Sequence, residues 1–111
     1  MNASVASLQE LFTRLADDPE KPDWVDGTWR FADLVDGPIS AGVWSATAET
    51  IVFDNYAVNE VMLMLGGRLR LVDADGTSHL IEKDDLFYLP KGWSGTWEIL
   101  EDMQKLYVII E

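Results

Sequence analysis

The sequence predicts an all-β fold preceded by one short helix, and three observations carry that prediction. From Trp24 onward the apolar period is two, the pattern of strands with one face turned inward. Turn residues punctuate those runs at roughly eight-to-twelve spacing, as in a sandwich or barrel. The only helical pattern precedes the strands, so nothing resembles a parallel βαβ unit.

The helix comes first. Leu8, Leu11, Phe12 and Leu15 fall at i, i+3, i+4 and i+7, one apolar stripe. Ser7 with Glu10 three residues on fits a capping box, although helicity can begin earlier, near Ser4. So short a helix is marginal alone in water, which makes it a lid or brace on the sheet, or else a peptide-binding helix. Asp17-Asp18-Pro19 and Lys21-Pro22-Asp23 then break the pattern. Residues 1–23 are therefore read as helix and linker, and 24–111 as the β domain, within a single domain overall. Candidate strands cover 28–31, 42–47, 50–55, 60–65, 68–73, 77–82, 86–89, 96–100 and 104–110. Asp75-Gly76 between two alternating runs is a hairpin signal, because a primed turn needs positive φ. Gly67 is expected where the chain reverses between two strands, and Pro90-Lys91-Gly92 where a strand stops.

Two strands offer no polar side: Val61-Met62-Leu63-Met64-Leu65 and Leu106-Tyr107-Val108-Ile109-Ile110. Each must be covered twice. The interior covers one face; the helix or a second subunit covers the other, which predicts a homodimer packed through its sheets.

Composition excludes several function classes. The 111 residues are 48% hydrophobic and 25% charged, a globular balance. There is no cysteine, which removes disulfides, thiolate metal sites and a cysteine nucleophile, and His79 is the single histidine. Eight Lys and Arg against twenty Asp and Glu leave a net charge of −12, which opposes nucleic acid and anionic membrane surfaces. No apolar run approaches a bilayer-spanning length, and the N-terminus lacks the basic region of an export signal. A cytoplasmic protein is the expectation. No phosphate loop, dinucleotide fingerprint or Gly-x-Ser-x-Gly elbow occurs.

Two spaced motifs carry more. Glu60 is followed after six residues by Gly67 and an alternating strand, and Asp84-Asp85-Leu86-Phe87-Tyr88-Leu89-Pro90-Lys91-Gly92 ends a second strand in Pro-x-Gly. This pair resembles the two motifs of cupins, with jelly-roll β-barrels of the RmlC-like type. The continuation Trp93-Ser94-Gly95-Thr96-Trp97-Glu98, then Lys105-Leu106-Tyr107-Val108-Ile109, resembles the small single-domain group related to (S)-ureidoglycine aminohydrolase, many of unassigned function. The likeness spans roughly 40–111. The resemblance implies metal ligands at a His-x-His pair before the Glu and a His after the second Gly. Here those positions hold Asp54 and Tyr56 (or Phe53 and Asn55), Glu60 and Gly95, so only Glu60 is retained. No metal site and no cofactor are expected, a divalent metal being disfavoured.

Glu60 is the foremost candidate. If even positions face inward it shares that face with Met62 and Met64, and desolvation in a cavity arms a carboxyl for acid or base work. The alternative is a structural Glu bonded to a tyrosine or indole. Tyr56 and Tyr107 are candidate polarisers, and Asp54, Met62, Met64, Trp93 and Trp97 candidate pocket residues, with Trp93 at the rim. Trp24, Trp29 and Trp44 are read as packing, His79 as a surface strand residue, and Arg68 and Arg70 as solvent- or partner-facing. The expected function is binding of a small organic molecule in the barrel. The alternatives are an enzyme acting on a small polar, ureide-like metabolite with Glu60 as acid/base, and a structural barrel filled by Met62, Met64 and Trp97.

Overall fold

Two long strands, β4 (Asn59–Asp73) and β7 (Gly95–Ile110), form the spine of the fold in a computed structural model that describes residues 2–17 and 29–111. They pair antiparallel from Asn59↔Ile110 to Asp73↔Gly95. Each half of this ribbon takes different outer partners. The first half of β4 pairs with β6 (Leu86–Leu89) and the second with β5 (Ser78–Ile81). The first half of β7 pairs with β3 (Thr50–Phe53), the second with β2 (Ile39–Ala46), and β1 (Arg30–Val35) lies beyond β2.

The ribbon is thus shared by two sheets whose inward faces meet. Trp44, Met62, Met64 and Tyr107 from one half join Leu69, Leu71, Trp97 and Ile99 from the other in a single buried cluster. This is the jelly-roll arrangement expected, although the hydrogen-bonded ladder runs from β1 to β5 without closing into a ring.

A bulge makes the double use of β4 possible. The sequence reading divides this strand at Gly67 and β7 near residue 102; both are continuous instead. Pairing shifts between Met64 and Leu69, through Gly66-Gly67-Arg68. Ahead of it Glu60, Met62 and Met64 are buried; beyond it Leu69 and Leu71 are, so the inward parity switches. The apolar side stays inward while the strand crosses from one layer to the other. Gly67 adopts φ +85, and a Cβ there would fall on the carbonyl oxygen of Asp102. No other residue fits.

The remaining elements follow local chemistry. Gly76, at φ +90, donates its N–H to Asp73 O at 2.9 Å and closes the β4–β5 hairpin. Trp93 N–H reaches Pro90 O at 3.1 Å across the turn that holds Gly92 at φ +92. β1 runs further than expected, to Val35, and β2 starts at Ile39 rather than 42; position 28 of the expected first strand lies outside the described residues. Within the extension of β1, Asp33 accepts the Tyr107 hydroxyl, which ties this edge strand to β7. Helix α1 (Leu8–Asp17) is capped by Ser7 Oγ, which accepts the Glu10 N–H at 3.0 Å. Leu11 and Leu15 bury against Val43, with Ala32 and Leu65 beside them, while Leu8 is exposed. The helix therefore braces one end of the outer face. At the other end Val61 is 41% exposed, so the described residues do not cover that strand on both sides. The breaks at Asp18-Pro19 and Lys21-Pro22-Asp23, the boundary at 23/24 and Trp24 lie outside the described residues.

Two glycines with the same backbone sign separate strain from collision. Gly76→Ala meets no atom within 4 Å and costs about 1–2 kcal/mol of left-handed strain. Gly67→Ala meets backbone as well and loses clearly more, read as the larger fall in urea midpoint.

Candidate functional site

A cavity of about 630 Å³ opens between the β1–β2 edge, the second half of β7 and the segment joining β3 to β4. Volumes of this order hold drug-sized molecules. Its floor carries charge. Glu60 and Lys105 are 4% and 3% exposed, and Lys105 Nζ donates to Glu60 Oε2 at 2.8 Å. A second donation runs to Met62 Sδ at 3.0 Å. The ammonium also lies 4.6 Å from the ring centroids of both Trp44 and Trp97, a cation held between two indoles. The other Glu60 oxygen accepts from the Tyr56 hydroxyl at 2.6 Å. Removing two charges from water costs several kcal/mol each, and only this density of partners offsets it. Burial pushes the Lys105 ammonium down from the usual lysine range, against the pull of Glu60.

Tyr56 is placed by its backbone. Its N–H donates to Trp93 O at 2.7 Å, and Gly92 N–H returns a bond to Tyr56 O at 2.7 Å. Next to it, Asn55 sits at φ 57 and donates its N–H to Ser94 Oγ at 3.0 Å. The segment before β4 is thereby stapled to the Pro-x-Gly turn, which gives that turn a positioning role beyond ending a strand. Burial, then the Glu60 carboxylate, push the Tyr56 phenol well above the usual tyrosine range. On the opposite wall the Tyr107 hydroxyl donates to Asp33 Oδ1, and burial followed by that bond raises the Tyr107 phenol likewise. Both phenols stay protonated donors at neutral pH.

Of the residues singled out from sequence, Asp54, Tyr56, Glu60, Trp97 and Tyr107 all line this cavity. Met62, Met64 and Trp93 do not, and their assignment to the pocket is corrected. Both methionines are fully buried beneath it, in the core. Trp93 packs on Phe53 and Tyr56 from outside, its indole donating to Asp73 Oδ1 at 2.8 Å. Trp29 and Trp44, read as packing residues, are lining residues. Lys105 enters the sequence reading only as part of the Lys105–Ile109 run and is not singled out there as a site residue. Its signal was parity: it lies two residues before Tyr107 on the same strand and so shares its face. Trp97 Nε1 is buried with no hydrogen-bond partner among the described residues.

The remaining polar residues lie elsewhere. His79 Nε2 is 3.0 Å from Asp73 Oδ2 on an exposed strand, as expected of a surface histidine. The Trp93 indole, and after it His79, hold the Asp73 carboxyl below the usual range. Arg68 and Arg70 form exposed ion pairs with Glu82 and Glu98, each worth about 0–1 kcal/mol.

The chemistry of the site does not fit a transition metal. Both oxygens of Glu60 are engaged, by a phenol and an ammonium. Among the described residues no three His, Cys, Asp or Glu side chains cluster to hold an ion. Lys105 supplies the positive charge that faces Glu60.

Lys105→Met leaves that carboxylate buried without its counter-ion and is expected to cost about 3–5 kcal/mol in urea unfolding. Adding Glu60→Gln recovers most of the loss. A single-variant cost below about 1 kcal/mol would show that the pair is not coupled.

No curated protein matches the chain in sequence. A structure of unknown function from Rhizobium leguminosarum is 22% identical with a TM-score of 0.73, over 99% of this chain and 98% of that one. The Clostridium difficile EutQ protein is 19% identical with a TM-score of 0.65, over 74% and 67%. A DUF861 family protein from Thermotoga maritima is 32% identical with a TM-score of 0.55, over 59% and 73%. The first two likenesses are of fold. Residues 34–107 match the EutQ-like cupin domain, and the chain belongs to that family.

Proposed function

We propose that this cupin works without a metal and binds a small organic molecule in the cavity above the Glu60–Lys105 pair. The observation that carries the reading is the cavity itself, about 630 Å³ with aromatic walls and a fixed polar floor. A barrel filled solid by Met62, Met64 and Trp97, the purely structural alternative, would leave no such space. The enzymatic alternative, action on a ureide-like metabolite with Glu60 as acid/base, needs a carboxylate oxygen free to exchange a proton. Here one is held by Tyr56 and the other by Lys105. Binding is therefore the better supported role. A cytoplasmic setting accords with the acidic, cysteine-free chain, and no described helix is long and apolar enough to cross a membrane.

The test is a screen of neutral, cationic and anionic aromatic fragments by saturation-transfer NMR, beside native mass spectrometry of the purified protein. At least one fragment is expected to bind, and Ala57→Trp, an exposed lining position, is expected to abolish the signal. Binding undiminished in that variant, or no binding to the wild type, would overturn the reading.

We also propose that a second copy covers the outer sheet face. In register across β6, β4 and β7 run Tyr88, Val61 and Val108, then Leu86, Leu63 and Leu106. Leu86 is 72% and Tyr88 55% exposed, and helix α1 covers only the far end of the face. None of the six carries charge. Two copies at −12 each repel least where they meet through such a face. Sedimentation is expected to show a dimer at micromolar concentration and a monomer for Leu86→Asp. A monomeric wild type would remove the proposal.

A further inference from the structure

We infer that the cavity selects organic cations, an amine or quaternary ammonium on an apolar or aromatic body. The inference rests on the small-molecule reading above and narrows it to a ligand class. Among the described residues five carboxylates line the cavity, Asp33, Asp36, Asp54, Glu60 and Glu111, against the single ammonium of Lys105. That ammonium is spent on Glu60. The ion pairs of Arg68, Arg70, His79 and Lys105 involve none of the other four carboxylates.

What holds them is neutral. Asp33 takes the Tyr107 hydroxyl, Asp36 the Ser40 hydroxyl at 2.9 Å and Asp54 the Ser94 hydroxyl at 3.3 Å, each through Oδ1. A hydroxyl orients a carboxylate without cancelling its charge. The second oxygen of Asp33 and of Asp36 has no side-chain partner among the described residues. Asp33 bonds Tyr107 and shares its face of β1 with Phe31, and Trp29, Phe31 and Tyr107 line the same cavity. Negative charge next to π faces attracts cations and disfavours anions.

The molecule already contains the same solution once. Lys105 places an ammonium against a carboxylate at 2.8 Å and two indole faces at 4.6 Å. A bound cation would repeat that pattern one layer outward, with Asp33 and Asp36 as counter-ions. A lone inorganic cation would leave the aromatic wall unused, and a space of about 630 Å³ calls for an organic body behind the charge.

Three matched probes decide it: 2-phenylethylammonium, 2-phenylethanol and 3-phenylpropionate, titrated calorimetrically at low and high salt. The cation is expected to bind at least ~10-fold tighter than the alcohol, with the carboxylate weakest and the gap narrowing as salt screens it. Asp33→Asn with Asp36→Asn keeps the acceptors for Tyr107 and Ser40. It is expected to shrink the cation's advantage over the alcohol to within ~3-fold. Asp84→Asn, on a turn outside the cavity lining, controls for overall charge and is expected to change nothing. Equal or tighter binding of the alcohol or the carboxylate overturns the cation assignment but leaves the small-molecule reading intact. A cation preference that survives the double substitution overturns it too. No binding by any of the three overturns both.

Discussion

The buried pair of Glu60 and Lys105 is the constraint around which the site is organised. An ammonium and a carboxylate this deep demand partners on every side. The structure supplies a phenol, a thioether and two indole faces. Those partners come from the segment ahead of β4, from β4 itself, from β2 and from the first half of β7. Satisfying two charges therefore ties together the elements that frame the cavity. The aromatic contacts among Trp29, Trp44, Phe53 and Trp97 extend the same tie across both sheets, at roughly 0.5–1.5 kcal/mol per pair beyond area burial.

That arrangement needs a strand able to serve two layers. The bulge at Gly66-Gly67 lets β4 keep its apolar side inward on both sides of the bend. Without the parity change, either the Glu60 set or the Leu69 set would face solvent. The glycine at the bulge and the Pro-x-Gly turn are fold devices that also reach the site. The first permits the ribbon to bend over the core, and the second clamps the backbone that presents Tyr56.

Membership of the EutQ-like cupins explains the architecture without settling the chemistry, since folds host many functions and sites decide them. The motif residues divide accordingly. Gly67, Pro90 and Gly92 perform the backbone tasks their types imply. Glu60 keeps its place while its electrostatic partner is a lysine from the facing strand. Its neighbours Met62 and Met64 share its face but not its cavity, because a face names only a direction. Depth depends on what packs above, and only Glu60 stands near enough to the open end.

Strand character, the capped helix, the turns and the inward parity of Glu60 and Tyr107 were legible in the residues. Each depends on periodicity or on one residue's backbone freedom, both of which are local. The continuity of β4 through Gly67 was not legible, because a glycine pair signals a bulge and a reversal alike. Nor was the meeting of Glu60 with Lys105, which lie 45 positions apart and join only when β7 pairs back along β4. Trp44 and Asp33 became cavity walls for the same reason: pairing of β2 with β7, and of β1 with β2, carried them there. Local pattern tells which way a side chain turns; long-range register chooses whom it meets.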